Sequence, residues 1–196
     1  MLKLNQALGR WALVLALVSL GAGAVLAGEG FVEGWNKYGS DPQGYIIGTE
    51  DVDRGTVAFI KSDNPEKKKF GTISQTFSPD QYKGQRIRFS ADVKSNKVKN
   101  WAGMWMRVDF EGQSVAFDNM QSRPIKGTTD WHNLSIVLVV PEKSDLIAMG
   151  LLMSGEGKVS WDNLKIEMVG DDVPVTDVYS LRTKSSPTNL NFESGK

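Results

Sequence analysis

The residues best suited to chemistry lie between Trp101 and Trp131, where the chain reads WAGMWMRVDFEGQSVAFDNMQSRPIKGTTDW. If Trp101 to Asp109 is extended, period-two alternation sends Ala102, Met104, Met106 and Val108 to one side and Trp101, Gly103, Trp105, Arg107 and Asp109 to the other. The first set is apolar and suits a core. The second offers flat indole surface beside a guanidinium and a carboxylate, a combination that stacks on the apolar side of a sugar ring and hydrogen-bonds its hydroxyls or a carboxylate. The same tryptophans equally suit burial beneath a second sheet or a loop, the usual fate of large aromatics. Asp118, Asn119, Gln121 and Arg123 follow closely. They would add polar contacts if the donor-rich loop from Arg123 to Asp130 closes over the tryptophan face; the alternative is that this loop only joins two sheets.

Catalytic signatures are mostly absent. The chain has no phosphate-cradling glycine loop, no His-Glu-x-x-His and no Gly-x-Ser-x-Gly. Its single histidine, His132, has no serine or metal-ligand companion at motif spacing. Asp109 and Glu111 stand two apart and are the one carboxylate pair a glycoside hydrolase would need, with carboxyl groups about 5–5.5 Å apart in a retaining enzyme. Glu111-Gly112, however, reads as a hairpin tip, where carboxylates are solvated and titrate normally. A non-enzyme is therefore expected, with a glycoside hydrolase as the weaker alternative. No cofactor is expected, although Asp162 and Asn163 are a candidate place for a structural calcium. That ion wants about six to eight oxygen ligands and would need Glu29 or Glu33 nearby; a plain strand-end turn is the alternative.

Acidic and basic side chains balance at 23 each, and the only basic run is the short Lys67-Lys68-Lys69, so the chain lacks the electrostatic footprint of a nucleic-acid binder. At 196 residues it is expected to hold one domain. Lys3 and Arg10, the apolar run Trp11 to Leu20 and the small residues before Gly28 predict a signal peptide over 1–27. The mature protein is then secreted or periplasmic, with no membrane anchor after cleavage. An uncleaved anchor is the rival reading, but it needs about 20 apolar residues. The absence of cysteine excludes disulfides and thiolate metal sites, so the domain, expected over 28–170, must stand on its hydrophobic core. Residues 171–196 read as a linker or tail, with an added edge strand as the alternative.

The elements that must position these groups are strands. Runs rich in Val, Ile, Phe and Thr recur between turn clusters at Tyr45–Gly48, Thr56–Lys61, Gly71–Phe77, Gln85–Lys94, Trp101–Asp109, Ser114–Asp118, His132–Val140, Leu146–Ser154 and Lys158–Met168. Nine such runs predict an all-β, two-sheet antiparallel β-sandwich. In Gln85–Lys94, Ile87, Phe89, Ala91 and Val93 share one face, and Arg86, Arg88, Ser90, Asp92 and Lys94 the other. Ser95 to Asn100 is short enough for a hairpin, which would set Arg88, Ser90 and Asp92 beside Trp105 and Arg107 on one sheet surface.

The segments Trp101–Asp109 and Phe117–Trp131, with Gly34-Trp35 early and Gly157-Lys158-Val159-Ser160-Trp161-Asp162-Asn163 at the closing strand, resemble a bacterial galactose-binding-like, carbohydrate-binding-module-like domain of jelly-roll type. That domain occurs alone and fused to AraC-type regulators or to hydrolases and peptidases. The resemblance covers about Gly30 to Met168 and implies the jelly-roll fold more firmly than a function. Two departures stand out. No helix-turn-helix precedes the domain here, so a fused regulator's DNA chemistry is not expected of it. An Asn-Leu-x-Phe-Glu segment of the kind that often opens such domains lies at Asn189–Glu193 instead, as a truncated second copy or a returning edge strand. The expected function is an exported, non-catalytic module for a glycan or small polar ligand, bound by Trp101, Trp105, Arg107, Arg88, Asp92, Asp118, Asn119, Gln121 and Arg123. The alternative is a structural or protein-interaction module with its tryptophans buried.

Overall fold

The computed structural model describes residues 33–66 and 69–179. The expected signal segment and Asn189–Glu193 lie outside the described residues. Within them the protein is all-β, with one 3-10 turn at Pro42–Gly44 and no α-helix. The strands are β1 (Asn36–Gly39), β2 (Tyr45–Val52), β3 (Gly55–Ser62), β4 (Phe70–Phe77), β5 (Arg86–Phe110), β6 (Gln113–Asp118), β7 (Ile125–Val139), β8 (Leu146–Ser154) and β9 (Lys158–Val169). They join in one curled antiparallel sheet of order β1-β4-β8-β5-β9-β3-β2, with β6 and β7 on the other side of β5.

β5 is the spine. Its first half pairs with β9, from Arg86↔Val169 to Asn96↔Lys158, and its second half pairs with β8, from Trp101↔Ser154 to Asp109↔Leu146. On its other side β7 lies against the first half and β6 against the second. Two sequence runs expected to form a hairpin are thus one 25-residue strand. The interior residues show how it turns. Ile87, Phe89, Ala91 and Val93 are fully buried, and so are Ala102, Met104, Met106 and Val108, so the inward parity changes from odd to even between the two runs. Register shifts at Val93/Ser95, Ser95/Val98 and Val98/Ala102 make that change, and Lys97 takes a positive φ of 53°. A strand that bulges in this way bends and carries the chain from one layer of a sandwich to the other. Gly157 fits the inside of the corner: a Cβ there would lie 2.7 Å from the Lys97 carbonyl oxygen and the Val98 Cα.

The two halves of β5 then close on a single core. Phe89 and Ile87 from the first half join Met104 and Met106 from the second, together with Ile60, Ile73, Leu151 and the fully buried Trp161. Each alternating face was legible from the sequence. Their meeting across one core, with a corner between, was not, because bulges leave no mark in hydrophobic periodicity.

Three further differences bear on the site. Ile125 to Asp130, expected as part of a loop, forms the start of β7, with Val98↔Gly127 and Ser95↔Thr129 as partners. A short strand, Asn36–Gly39, pairs with β4. Residues 171–179, expected as the beginning of a tail, lie along the outer edge of β6 and β7. The Thr176 amide donates to the Val137 carbonyl at 2.9 Å and the Val178 amide to Phe117 at 2.8 Å, while the Arg86 guanidinium donates to the carbonyls of Asp171 and Val173.

Candidate functional sites on either side of the corner

The expected ligand-binding residues do not share one surface. Trp101, Trp105, Arg107 and Asp109 do point away from Met104 and Met106, as alternation requires, but most of that face is spoken for. The Trp105 indole N–H donates to the Thr72 hydroxyl at 2.9 Å, and the ring rests against Gly150, its cross-strand partner, where a Cβ would come within 2.5 Å of Nε1. Arg107 Nη2 lies 2.7 Å from the buried Asp109 carboxylate. Burial pushes the Asp109 carboxyl above its usual range, and the Arg107 charge opposes that shift.

Asp118 and Arg123 form a clasp within the chain. Asp118 is wholly buried and accepts from Nη1 and Nη2 of Arg123 and, at 2.8 Å, from the Met120 amide. The buried Asn119 accepts from the Gln121 amide at 3.1 Å. These bonds hold the turn after β6, where Met120 has a positive φ of 58°. Arg88 pairs at 2.9 Å with Glu167 on β9. Its position and that of Asp92, before the corner, separate both residues from Trp105 and Arg107, and this corrects the expected juxtaposition.

Asp92 instead belongs to a cleft that sequence reading missed. The two-residue turn Asp53-Arg54 between β2 and β3 leans over the outer face of the sheet, across β9 to β5 and β7. Arg54 Nη2 lies 2.7 Å from Asp92 and its Nε 2.8 Å from Asp162, while the guanidinium carbon sits 4.3 Å from the centre of the Trp131 ring. Asn133 and Asn163 each donate a side-chain N–H to Asp92, at 3.0 and 2.9 Å. Those two amides first, and Arg54 after them, hold Asp92 at a pKa of about 2. Beneath the turn opens a cleft of about 400 Å³, with Glu50, Val52 and Asp53 on one wall and Lys94, Asn96, Trp131, Lys158 and Ser160 among the residues opposite. Lys158 is bound to Glu50 at 2.6 Å and Lys94 to Asp130 at 3.1 Å. Every cation of this cleft is neutralised within the chain.

A second recess of about 370 Å³ lies beyond the corner, lined by Asn100, Trp101, Gln121, Pro124 and Lys126. Trp101 and Gln121 were expected at a binding site, and here they meet. The Trp101 ring leans across Gly103, over which the Asn119-Met120 turn also closes.

Neither cavity is lined by Asp109 or Glu111, the carboxylates considered for glycoside hydrolysis. Glu111 is exposed at the β5–β6 turn with a φ of 49°. Asp162, the candidate calcium ligand, is paired with the Arg54 cation, and no group of three or more acidic or histidine side chains placed to hold a metal occurs among the described residues. Glu29 lies outside them. The residues that sequence reading overlooked are Arg54, Trp131 and Asn133, while Asn163 was considered only for calcium. Trp131 closes the stretch singled out at the start, but Arg54 sits in an ordinary turn over 70 residues earlier, and no local signal marks it.

No known protein-family profile matches the chain. It is 39% identical over 168 residues to an uncharacterized HTH-type transcriptional regulator, YbfP, of Bacillus subtilis (strain 168). The matched stretch is 83% of this chain, and the chain spans 57% of that relative's length. Among solved structures, the enzymatically active domain of tailspike protein 4 from bacteriophage CBA120 shares the fold, with a TM-score of 0.52 at 14% identity over 70% of this chain and 20% of that one. A carbohydrate-binding module complexed with β-1,4-galactotriose, TmCBM61, scores 0.48 at 12% identity over 71% of this chain and 92% of its own. A likeness at that level bears on neither fold nor function.

Proposed function

We propose that the chain is an exported, non-catalytic binding module for a neutral carbohydrate or a similar polyhydroxylated ligand, held in the cleft between the β2–β3 turn and Trp131. The observation that carries this reading is the cleft's combination of an indole with charged groups that are already paired. Arg54, Lys94 and Lys158 have counter-ions, so they offer oriented hydrogen-bond donors without an uncompensated positive charge that would demand an anionic ligand. Arg54 Nη1 is not used by Asp92 or Asp162 and keeps its donors. The depressed pKa of Asp92 is wrong for a general acid at neutral pH. The regulator of Bacillus subtilis has a similar stretch in a longer chain, an arrangement that suits a self-contained ligand-binding unit.

Full-length protein and the Trp131→Ala variant, screened on an array of neutral glycans and titrated by intrinsic fluorescence, test the proposal. Wild type should bind in the micromolar to millimolar range, on the order expected of shallow sites, and the variant should keep its melting transition and lose at least about ten-fold in affinity. Unchanged binding by the variant would move the site elsewhere. Absence of any glycan ligand for wild type would favour an interaction module instead.

A further inference from the structure

We infer that the recess around Trp101 is a second, separate binding site, selective for a sugar ring that carries a carboxylate. It shares no lining residue with the cleft. Asn96 in the cleft and Asn100 in the recess are four residues apart, so the two sites lie within about 14 Å along β5, at about 3.3–3.6 Å per residue.

What separates the recess from the cleft is charge and donor balance. No carboxylate of the described residues pairs with Lys126, which is exposed at the start of β7. Asn100 spends a side-chain N–H on the Ser154 hydroxyl at 2.9 Å, and that bond fixes its amide and leaves its oxygen free. The Gln121 side chain and the Trp101 indole N–H make no hydrogen bond to the described residues, so the recess holds an ammonium, an amide and an indole as free donors beside a flat indole face and Pro124. Free donors outnumber acceptors, and one full positive charge is uncompensated. A neutral sugar would satisfy the stacking surface but leave the ammonium without a partner, whereas a hexuronate places its carboxylate within reach of Lys126 while its ring stacks on Trp101. The recess is firmly built: the Asp118–Arg123 clasp fixes the turn carrying Gln121, and β5 pairing fixes Trp101 and Lys126 on adjacent strands.

The test uses full-length protein with Trp131→Ala as background, so that ligand in the cleft cannot report. A glucuronic acid trisaccharide, the glucose trisaccharide of the same linkage and sodium acetate are each titrated by fluorescence and amide chemical shift at low and high salt. The uronate should bind at least ten-fold more tightly than its neutral counterpart, more weakly as salt rises. Lys126→Gln should remove the preference and Lys126→Arg should keep it. Lys126 is exposed and unpaired, so neither variant is expected to disturb folding. Equal affinity for the two trisaccharides, indifference to Lys126→Gln, or acetate binding as tightly as the trisaccharide would overturn the inference. So would loss of uronate binding on introducing Trp131→Ala into wild type, since that result would put the ligand in the cleft. Failure of neutral glycans to bind wild type would leave the uronate result standing and count against the cleft alone.

Discussion

The Trp131 cleft and the Trp101 recess stand on opposite sides of the corner in β5, each built around one tryptophan, and differ mainly in how their charges are balanced. Before the corner, Arg54, Lys94 and Lys158 are each tied to a carboxylate. Beyond it, Lys126 stands alone among the described residues. The lesson is that residue types do not settle what a site takes. Two aromatic recesses on one strand offer similar stacking surface, and the partners already bound to the charged groups decide whether a neutral or an ionic ligand fits.

The sharpest way to break the comparison is through what both sites share. Phe89 is wholly buried in the core that both halves of β5 close upon. Phe89→Ala should destabilise the fold by about 3–5 kcal/mol in urea melts and weaken both sites together. Loss at one site alone would mean that the two halves do not share a core.

Trp105 lies between the arguments for core and for site. Its N–H is bound to Thr72 and its ring rests on Gly150. Trp105→Ala should cost about 2–3 kcal/mol of stability, less than a full core truncation because the ring is half-buried, and leave affinity for neutral glycans unchanged once the protein is folded. A stable variant that has lost binding would restore Trp105 to the ligand surface.

Acid separates the two regions more gently. Asp92 titrates at about 2 in the fold against an ordinary value of 3.8. Its contribution to stability is therefore fully present above about pH 4 and is lost as pH falls from 3.8 towards 2. An NMR titration of its carboxyl should show that low midpoint, and Asn133→Ala, which removes the largest cause of the shift, should raise it. A midpoint near 3.8 in the wild type would mean that the Asn133, Asn163 and Arg54 contacts to Asp92 do not form.

Much of the fold was legible in the sequence because alternation is a local property. The buried faces of Ile87–Val93 and Ala102–Val108 followed from period two alone. The corner was not legible: a bulge changes parity within residues that look like any polar connection, and Ser95–Asn100 read naturally as a hairpin. The candidate sites suffered from the same cause. A hairpin would have put Arg88 and Asp92 beside Trp105, whereas the corner sends them to the other layer, where Arg54 meets Asp92 across a sequence separation of 38 residues. Trp101 and Gln121 were recovered as neighbours because the hairpin at Glu111-Gly112 returns β6 along the second half of β5, and the turn after β6 closes over Gly103 beside Trp101. Asp118 and Arg123 looked like surface polar groups, since spacing alone does not show that a carboxylate is closed off by its own arginine.

The central claim is that a neutral glycan is held against Trp131 beneath Arg54. The most direct measurement follows the tryptophan indole and asparagine side-chain resonances of full-length protein during titration with a neutral oligosaccharide found on the array. The account predicts shifts confined to Trp131 and to the Asn96, Asn133 and Asn163 amides around it, with the indoles of Trp105 and the buried Trp161 unmoved. Shifts centred on Trp105, or on Trp101 with Trp131 silent, would contradict it.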